Sequence, residues 1–145
     1  MAKNKTIRAF NIDPFKEKIR TEYYSEEDCI NEIKLWMECR VIDVIYLDDN
    51  NQLILDDEGL LKEPNRFFRW IPVDENYPAG KHQAYAGKAV IIGCNDEGNT
   101  DNSTFHPRDL EDKHVKFLEE GFVQEPSWEF VPFGSFEELM GGIVK

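Results

Sequence analysis

The chain has 145 residues, of which 41% are hydrophobic and 12% aromatic, and its formal net charge is −12. This length is typical of one domain, and this composition can fill a hydrophobic core. We therefore expect a single acidic domain over residues 1–145 rather than a disordered chain. A strongly negative field repels the phosphates of nucleic acids and favours cationic partners, so we expect no direct binding to nucleic acid.

The start of the chain argues against export. Its basic residues, Lys3 and Lys5, are not followed by the apolar run of a secretion signal. No stretch approaches the roughly 18 apolar residues that span a membrane. The three cysteines, Cys29, Cys39 and Cys94, are an odd number and lie far apart. We therefore expect a cytoplasmic protein that binds no membrane and carries reduced thiols.

Residues 6–38 predict one strand and one helix. Weak alternation over residues 6–12 predicts the strand, and the basic stretch that follows as far as residue 24 gives no clear pattern. Residues 25–38 predict the helix, because Ser25 can cap it and apolar residues recur on one face at helical spacing. That face contains Cys29, Ile30, Ile33, Trp36 and Met37, which we expect in the core.

Residues 41–70 predict a hairpin followed by a short helix. Two segments rich in β-branched residues, 41–47 and 52–55, flank a turn of two aspartates and two asparagines, whose side chains can bond their own backbone. After the hairpin, Asn65 can cap a short helix that carries three aromatic residues inward. Those residues are Phe67, Phe68 and Trp70.

The second half of the chain predicts a strand and a second helix. Residues 71–87 lack periodicity and are typical of a long loop. The apolar run at 88–93 predicts a central strand. Pro107 suits the first position of a helix that we expect over residues 107–120. These elements predict an α+β fold, in which two principal helices pack on a mainly antiparallel sheet.

The C-terminal tail concentrates apolar residues that a short strand and a one-turn helix cannot bury. Five large apolar side chains fall within nine residues, namely Trp128, Phe130, Val131, Phe133 and Phe136. Apolar groups of this density are commonly covered by self-association or by a partner. We therefore expect a contact outside the core, and a homo-oligomer formed through this tail is one form of it.

The residues that could bind a metal ion or a phosphate do not follow the spacing of any established motif. The cysteines and histidines lack zinc-ligand spacing, the glycines match no phosphate-binding loop, and the acidic residues lack the order of an EF-hand. We expect no metal and no cofactor. Cys94 follows a predicted strand and His106 lies downstream, so nucleophilic catalysis stays open at this place, although packing is the commoner role of such a cysteine. The sequence therefore favours a non-enzymatic binding protein.

The acidic run Leu55-Asp56-Asp57-Glu58-Gly59-Leu60-Leu61-Lys62, followed by Pro64-Asn65, resembles a family of short bacteriophage and mobile-element proteins of unknown function. Those proteins share an acidic turn, a Pro-Asn pair and a later strand that ends in glycine. Residues 89–93 match that strand, and the likeness covers roughly residues 25–120. The resemblance implies no particular activity. It does imply an accessory protein, and such proteins often inhibit or modify host machinery.

The leading hypothesis is that an acidic surface binds and inhibits a host protein. Residues 25–65 carry three basic and twelve acidic residues, which favours a partner with a basic surface. The predicted partner-binding residues are Asp48, Asp49, Asp56, Asp57 and Glu58. A host-defence protein that normally holds nucleic acid is one such partner, and the acidic surface would then mimic nucleic acid.

The alternative hypothesis is the binding of a small, nucleotide-like ligand. The segment 76–85 combines tyrosine rings with cationic and imidazole groups, and residues 66–70 interleave arginines with aromatic rings. The predicted ligand-binding residues are Tyr77, Lys81, His82, Tyr85, Arg66 and Arg69. An exposed insertion is the simpler interpretation of the 76–85 segment.

Overall fold

The computed structural model describes residues 5–62, 65–72 and 83–122. The strands of these residues are β1 (Thr6–Asp13), β2 (Lys18–Ser25), β3 (Ile42–Tyr46), β4 (Asn51–Asp56), β5 (Phe67–Trp70), β6 (Gln83–Ala86), β7 (Ala89–Cys94), β8 (Thr100–Asp101) and β9 (Val115–Phe117). The helices are α1 (Cys29–Met37), a 3₁₀ turn (Gly59–Leu61), the short α2 (Pro107–Asp109) and a π-helical turn (Leu110–His114). The strands form two mainly antiparallel sheets, which confirms the predicted α+β class.

The larger sheet is built around β7. Its strand order is β2-β1-β7-β4-β3, and β8 pairs with the end of β7. Ile91, in the middle of β7, lies opposite Phe10 of β1 on one side and opposite Leu53 of β4 on the other. All six residues of β7 are buried. The prediction of a central strand over residues 88–93 is therefore confirmed.

The smaller sheet, with the order β6-β5-β9, packs on one face of the larger sheet. The shared core contains Phe10, Ile12, Leu53, Leu55 and Ile91 from the larger sheet and Phe68, Trp70, Tyr85 and Val115 from the smaller one. Trp70 stacks on His114, whose ring nitrogen Nδ1 lies 2.9 Å from the Ile71 carbonyl oxygen. The smaller sheet thus contributes much of the aromatic content of the core.

Helix α1 covers the opposite face of the larger sheet. Cys29, Ile33 and Met37 lie four residues apart and are buried against the sheet, as predicted. Trp36 and Ile30 were expected beside them but are only half-buried at the rim of this cluster. The helix ends at Glu38, whose φ of 56° is left-handed, and the Glu38 and Cys39 amides donate to Leu35 and Lys34 carbonyls.

Three of the predicted helical segments differ in the structure. The helix expected over residues 25–38 begins only at Cys29, because Ser25 is the last residue of β2. The short helix expected after Asn65 is wrong, since residues 67–70 form β5 and pair with β6 and β9. The helix expected over 107–120 is also wrong beyond His114, where the chain becomes β9. In both late segments, pairing with distant strands satisfies the backbone groups that a helix would satisfy locally.

Candidate functional site

The hairpin of β3 and β4 separates the five acidic residues that the sequence grouped together. Asp48 and Asp49 lie in its turn, whereas Asp56, Asp57 and Glu58 lie at or after the end of β4. The six residues of β4 span about 20 Å at the ordinary rise of a strand. The structure therefore places these carboxylates at opposite ends of the larger sheet rather than in one cluster.

Asp48, Asp56 and Glu58 bond to other parts of the protein. Asp48 Oδ1 accepts hydrogen bonds from the Asn50 amide at 2.8 Å and the Asn51 side chain at 3.0 Å, which fixes the hairpin turn. At the other end, Asp56 pairs with Lys62 at 2.5 Å, and Glu58 pairs with Arg40 at 2.9 Å. These contacts give Asp48, Asp56 and Glu58 a role in stabilising the fold.

Asp48 and Asp49 have acidic neighbours that the sequence did not suggest. The turn that follows β7 lies next to the hairpin turn, because the Cys94 amide donates to the Asn50 carbonyl at 2.9 Å. This second turn carries Asp96 and Glu97, both exposed. Four acidic residues from two turns, Asp48, Asp49, Asp96 and Glu97, therefore form an acidic end of the larger sheet.

The environment of Cys94 is opposite to that of an activated thiol. Burial and, after it, the charges of Asp48 and Asp49 raise the pKa of the Cys94 thiol. A nucleophilic cysteine needs a lowered pKa, so that the thiolate is present at neutral pH. His106 uses its Nδ1 to accept the Arg108 amide at 3.1 Å and caps α2. The structure thus gives Cys94 a packing environment.

The residues predicted for ligand binding do not form a common site in the described part of the chain. Tyr85 is 7% exposed and packs on Phe68, and burial raises its pKa to about 12. Arg66 donates to the Leu118 carbonyl at 3.1 Å and pairs with Glu17 at 3.5 Å. Arg69 is half-buried on β5. The remaining three residues, Tyr77, Lys81 and His82, lie outside the described residues, as does the whole tail from residue 123.

The two outer strands of the larger sheet differ in character. β2 carries Lys18, Arg20 and Glu22 along one face, and charged side chains on an edge strand oppose pairing with other chains. β3 has a single charged residue, Asp43, and exposes Val44 and Tyr46 by 41% and 52%. Among the described residues, β3 pairs with β4 alone. β2 also exposes Tyr23, but it carries three charged side chains, whereas β3 carries one.

Acidic residues flank the β3 edge at both of its ends. Asp48 and Asp49 follow β3 in the turn, and the Asp57 amide donates to the Val41 carbonyl just before β3 begins. Residues 41–58 contain six acidic residues and no lysine or arginine. The sequence alone does not reveal this combination, because Val44 and Tyr46 are typical residues of any strand. The signal that it does contain is their spacing of two, which places both side chains on one face.

A comparison with protein-family models gives a match over residues 7–113, to the family described as "Domain of unknown function (DUF3846)". The chain belongs to this family. The match runs from β1 to the π-helical turn and includes both edges of the larger sheet. Neither the curated proteins nor the solved structures contain a match.

The acidic run of the DUF3846 domain after β4 forms a compact turn. Asp56 Oδ1 accepts the Glu58 amide at 2.9 Å, and the Asn65 side chain donates to the Gly59 carbonyl at 2.8 Å. A Cβ on Gly59 would lie 2.9 Å from the Ala86 carbonyl oxygen, so glycine permits the close approach of β6. The described residues of the motif, 55–62 and Asn65, therefore connect the larger sheet with β6 of the smaller sheet.

None of the helices within the described residues combines the length and the apolar character of a membrane span. The same residues contain no group of three or more metal-ligating side chains.

Proposed function

We propose that this protein is a non-enzymatic inhibitor that binds another protein through the outer edge of β3. The observation that carries the proposal is the contrast between the two edges of the larger sheet. β2 carries charged side chains, whereas β3 exposes Val44 and Tyr46 and, among the described residues, has no strand on its outer side. The Val44 amide donates to the neighbouring Asp43 carboxylate at 2.9 Å, a local bond that a partner strand would replace. Exposed sheet edges bind extended segments through main-chain hydrogen bonds, and alternate side chains provide specificity.

The charges around β3 indicate the chemistry of the partner. An extended segment that pairs with β3 would meet apolar side chains in the middle and carboxylates at both ends. A partner strand with apolar residues flanked by lysine or arginine would complement this edge. The proposed partner is therefore the basic host protein that the sequence leads us to expect, bound by strand addition to β3.

The biological setting of the proposal rests on the sequence resemblance. The resemblance carried by the run Leu55–Lys62 and by Pro64-Asn65 implies an accessory protein of a phage or mobile element. Such a protein would act in the cytoplasm of the host, against host machinery that includes defence proteins.

The proposal is tested with a matched pair of edge substitutions. Val44→Lys places a charge on the β3 edge, and Tyr23→Lys places the same charge on β2, where Tyr23 is 65% exposed. Tagged parent and variants are incubated with host lysate, and the captured proteins are quantified by mass spectrometry at low and high salt. We expect a basic protein whose capture Val44→Lys abolishes, Tyr23→Lys preserves and salt weakens. Equal capture by both variants would contradict the use of β3.

A further inference from the structure

A groove lies at the end of the larger sheet opposite the acidic end. The turn between β1 and β2, the C-terminal end of α1 and Lys88 surround it, and its volume is about 480 Å³. A smaller hollow of about 270 Å³ adjoins it and shares Phe15, Glu38 and Lys88 with it. The larger volume falls within the roughly 300–1,000 Å³ range of small-molecule sites.

The strand register concentrates positive charge in this groove. Asn11 lies opposite Arg20 and Asp13 lies opposite Lys18, so the two pairs share one face of the hairpin. Lys16, in the turn, and Lys88 add to them, giving four cationic and two acidic side chains in the wall. Among the described residues, Lys16, Lys18 and Arg20 form no ion pair with a carboxylate. In a chain of net charge −12, such a positive cleft attracts anions.

Lys88 and Trp36 form a fixed pair in the wall. The Lys88 ammonium lies 5.1 Å from the centre of the Trp36 ring and donates to the Trp36 carbonyl at 3.3 Å. Glu38 holds the same ammonium at 3.8 Å. The indole is half-buried and lines the groove. A flat ring can stack on such an indole, and stacking on aromatic side chains is worth about 1–3 kcal/mol per base.

Two buried polar side chains are fixed at the base of the groove. Asn11 is 2% exposed, and its Oδ1 accepts the Tyr24 hydroxyl at 2.7 Å, which leaves its amide nitrogen as a donor. Asp13 is 9% exposed, and its Oδ1 accepts the amides of Phe15 and Lys16 at 2.9 and 3.3 Å. The second carboxylate oxygen is then the acceptor that Asp13 can offer. The Asn11 amide donor and the Asp13 carboxylate acceptor could together bond to the polar edge of an uncharged heterocyclic ring.

We infer that the groove binds a nucleotide. The phosphate would lie among Lys16, Lys18 and Arg20, and the base would stack on Trp36 and bond to the fixed groups of Asn11 and Asp13. The carboxylates of Asp13 and Glu38 disfavour a ligand that is anionic over its whole length, such as a polyphosphate. This site differs from the ligand residues that the sequence suggested, and it is separate from the β3 edge.

Calorimetric titration with AMP, GMP, CMP and UMP tests the inference, with inorganic phosphate as the ligand that lacks a base. At least one nucleotide should bind, and at least about tenfold more tightly than phosphate. The double variant Lys18→Gln, Arg20→Gln should weaken nucleotide binding about tenfold or more, because two charge-assisted contacts are lost. Trp36→Leu should weaken nucleotide binding and leave phosphate binding unchanged.

Lys116→Gln is the control, because Lys116 is exposed on β9 of the smaller sheet. It removes one positive charge outside the groove and should leave the affinity unchanged. Three outcomes would overturn the inference: no nucleotide binding at millimolar concentration, phosphate that binds as tightly as nucleotides, or an affinity that none of the groove variants changes. Capture of a partner through β3 is measured independently, so failure at one site does not imply failure at the other.

Discussion

The carboxylate of Asp56 lies 2.5 Å from the ammonium of Lys62, and the same ammonium donates to the Glu38 carbonyl at 2.7 Å. This lysine therefore joins the end of β4 to the end of α1. The Asp56 side chain is 5% exposed, whereas that of Lys62 is 45% exposed. The pair thus connects the acidic run after β4 with the helix that covers the sheet.

Asp56→Ala should destabilise the protein by about 1–3 kcal/mol, because it removes the Lys62 pair and the acceptor of the Glu58 amide. Asp57→Ala is the neighbouring control, since Asp57 is exposed, and it should change stability by less than about 0.5 kcal/mol. Urea denaturation of both variants measures the difference. Equal losses in the two would mean that the ion pair contributes little.

Gly93→Ala should destabilise the protein by about 3 kcal/mol or more, since overpacking against backbone forces the backbone to shift. A Cβ at this position would overlap the backbone carbonyl of Asn102, where the chain crosses back over the end of β7. Gly98→Ala is the control, because Gly98 has open space around it and a φ of 82°. It should cost about 1 kcal/mol through conformation alone. A Gly93 variant as stable as the Gly98 variant would contradict the close crossing.

The protein should lose stability in alkaline solution. Burial raises the pKa of Cys29 to about 11 and the pKa of Tyr24 and Tyr85 to about 12. In the unfolded chain these groups lose their protons near pH 8.5 for cysteine and about pH 10 for tyrosine. Above those values the unfolded state binds fewer protons than the folded state, so the free energy of unfolding decreases with rising pH.

The contribution of these three groups to the free energy of unfolding is fully present below about pH 8.5. It is lost between about pH 9 and 12, at about 1.4 kcal/mol for each unit by which a pKa is raised. We expect a loss on the order of 6 kcal/mol by pH 11, of which Cys29 accounts for about half, measured by denaturation at a series of pH values. The variant Tyr24→Phe, Tyr85→Phe should flatten the decline. An unchanged slope in that variant would show that other groups control the alkaline response.

Glu38→Gly should stabilise the protein by about 0.5–1 kcal/mol, because Glu38 ends α1 in the left-handed conformation that glycine adopts without strain. Its ion pair with Lys88 is 3.8 Å long and its side chain is 81% exposed, so losing the pair costs little. Glu38→Ala is the control, since it removes the charge and keeps the Cβ. It should give no gain in thermal denaturation. Both variants remove a carboxylate from the groove and should tighten nucleotide binding.

The elements that the sequence predicted well are those whose own residues contain the pattern. The continuous apolar run of β7 and the helical spacing of Cys29, Ile33 and Met37 both follow from local burial. β2 could not be predicted from the sequence, because only one of its eight residues, Tyr24, is buried. An exposed edge strand has little apolar alternation, and its pairing with β1 is what makes it a strand.

The two helices that were expected where the structure has strands share one cause, which is pairing between strands that are far apart in the sequence. Pro107 does begin a helix, as predicted, but Val115–Phe117 then pairs with Phe68–Trp70, which also turns the expected helix after Asn65 into β5. The candidate sites depend on register in the same way. The spacing of Lys16, Lys18 and Arg20 suggests a shared face, but only the pairing with β1 places Asn11 and Asp13 beside them.

The central position of β7 has a consequence for how the chain is made. β1 and β4 both pair with β7, although they precede it in the chain and belong to separate hairpins. A ribosome adds about 5–20 residues per second, so the roughly 40 residues between β4 and the end of β7 take about 2–8 seconds. During that time the inner edges of both hairpins are open to pairing with other nascent chains. Because insertion of β7 closes both edges at once, the yield of soluble protein should depend on expression temperature and on translation speed between residues 56 and 94.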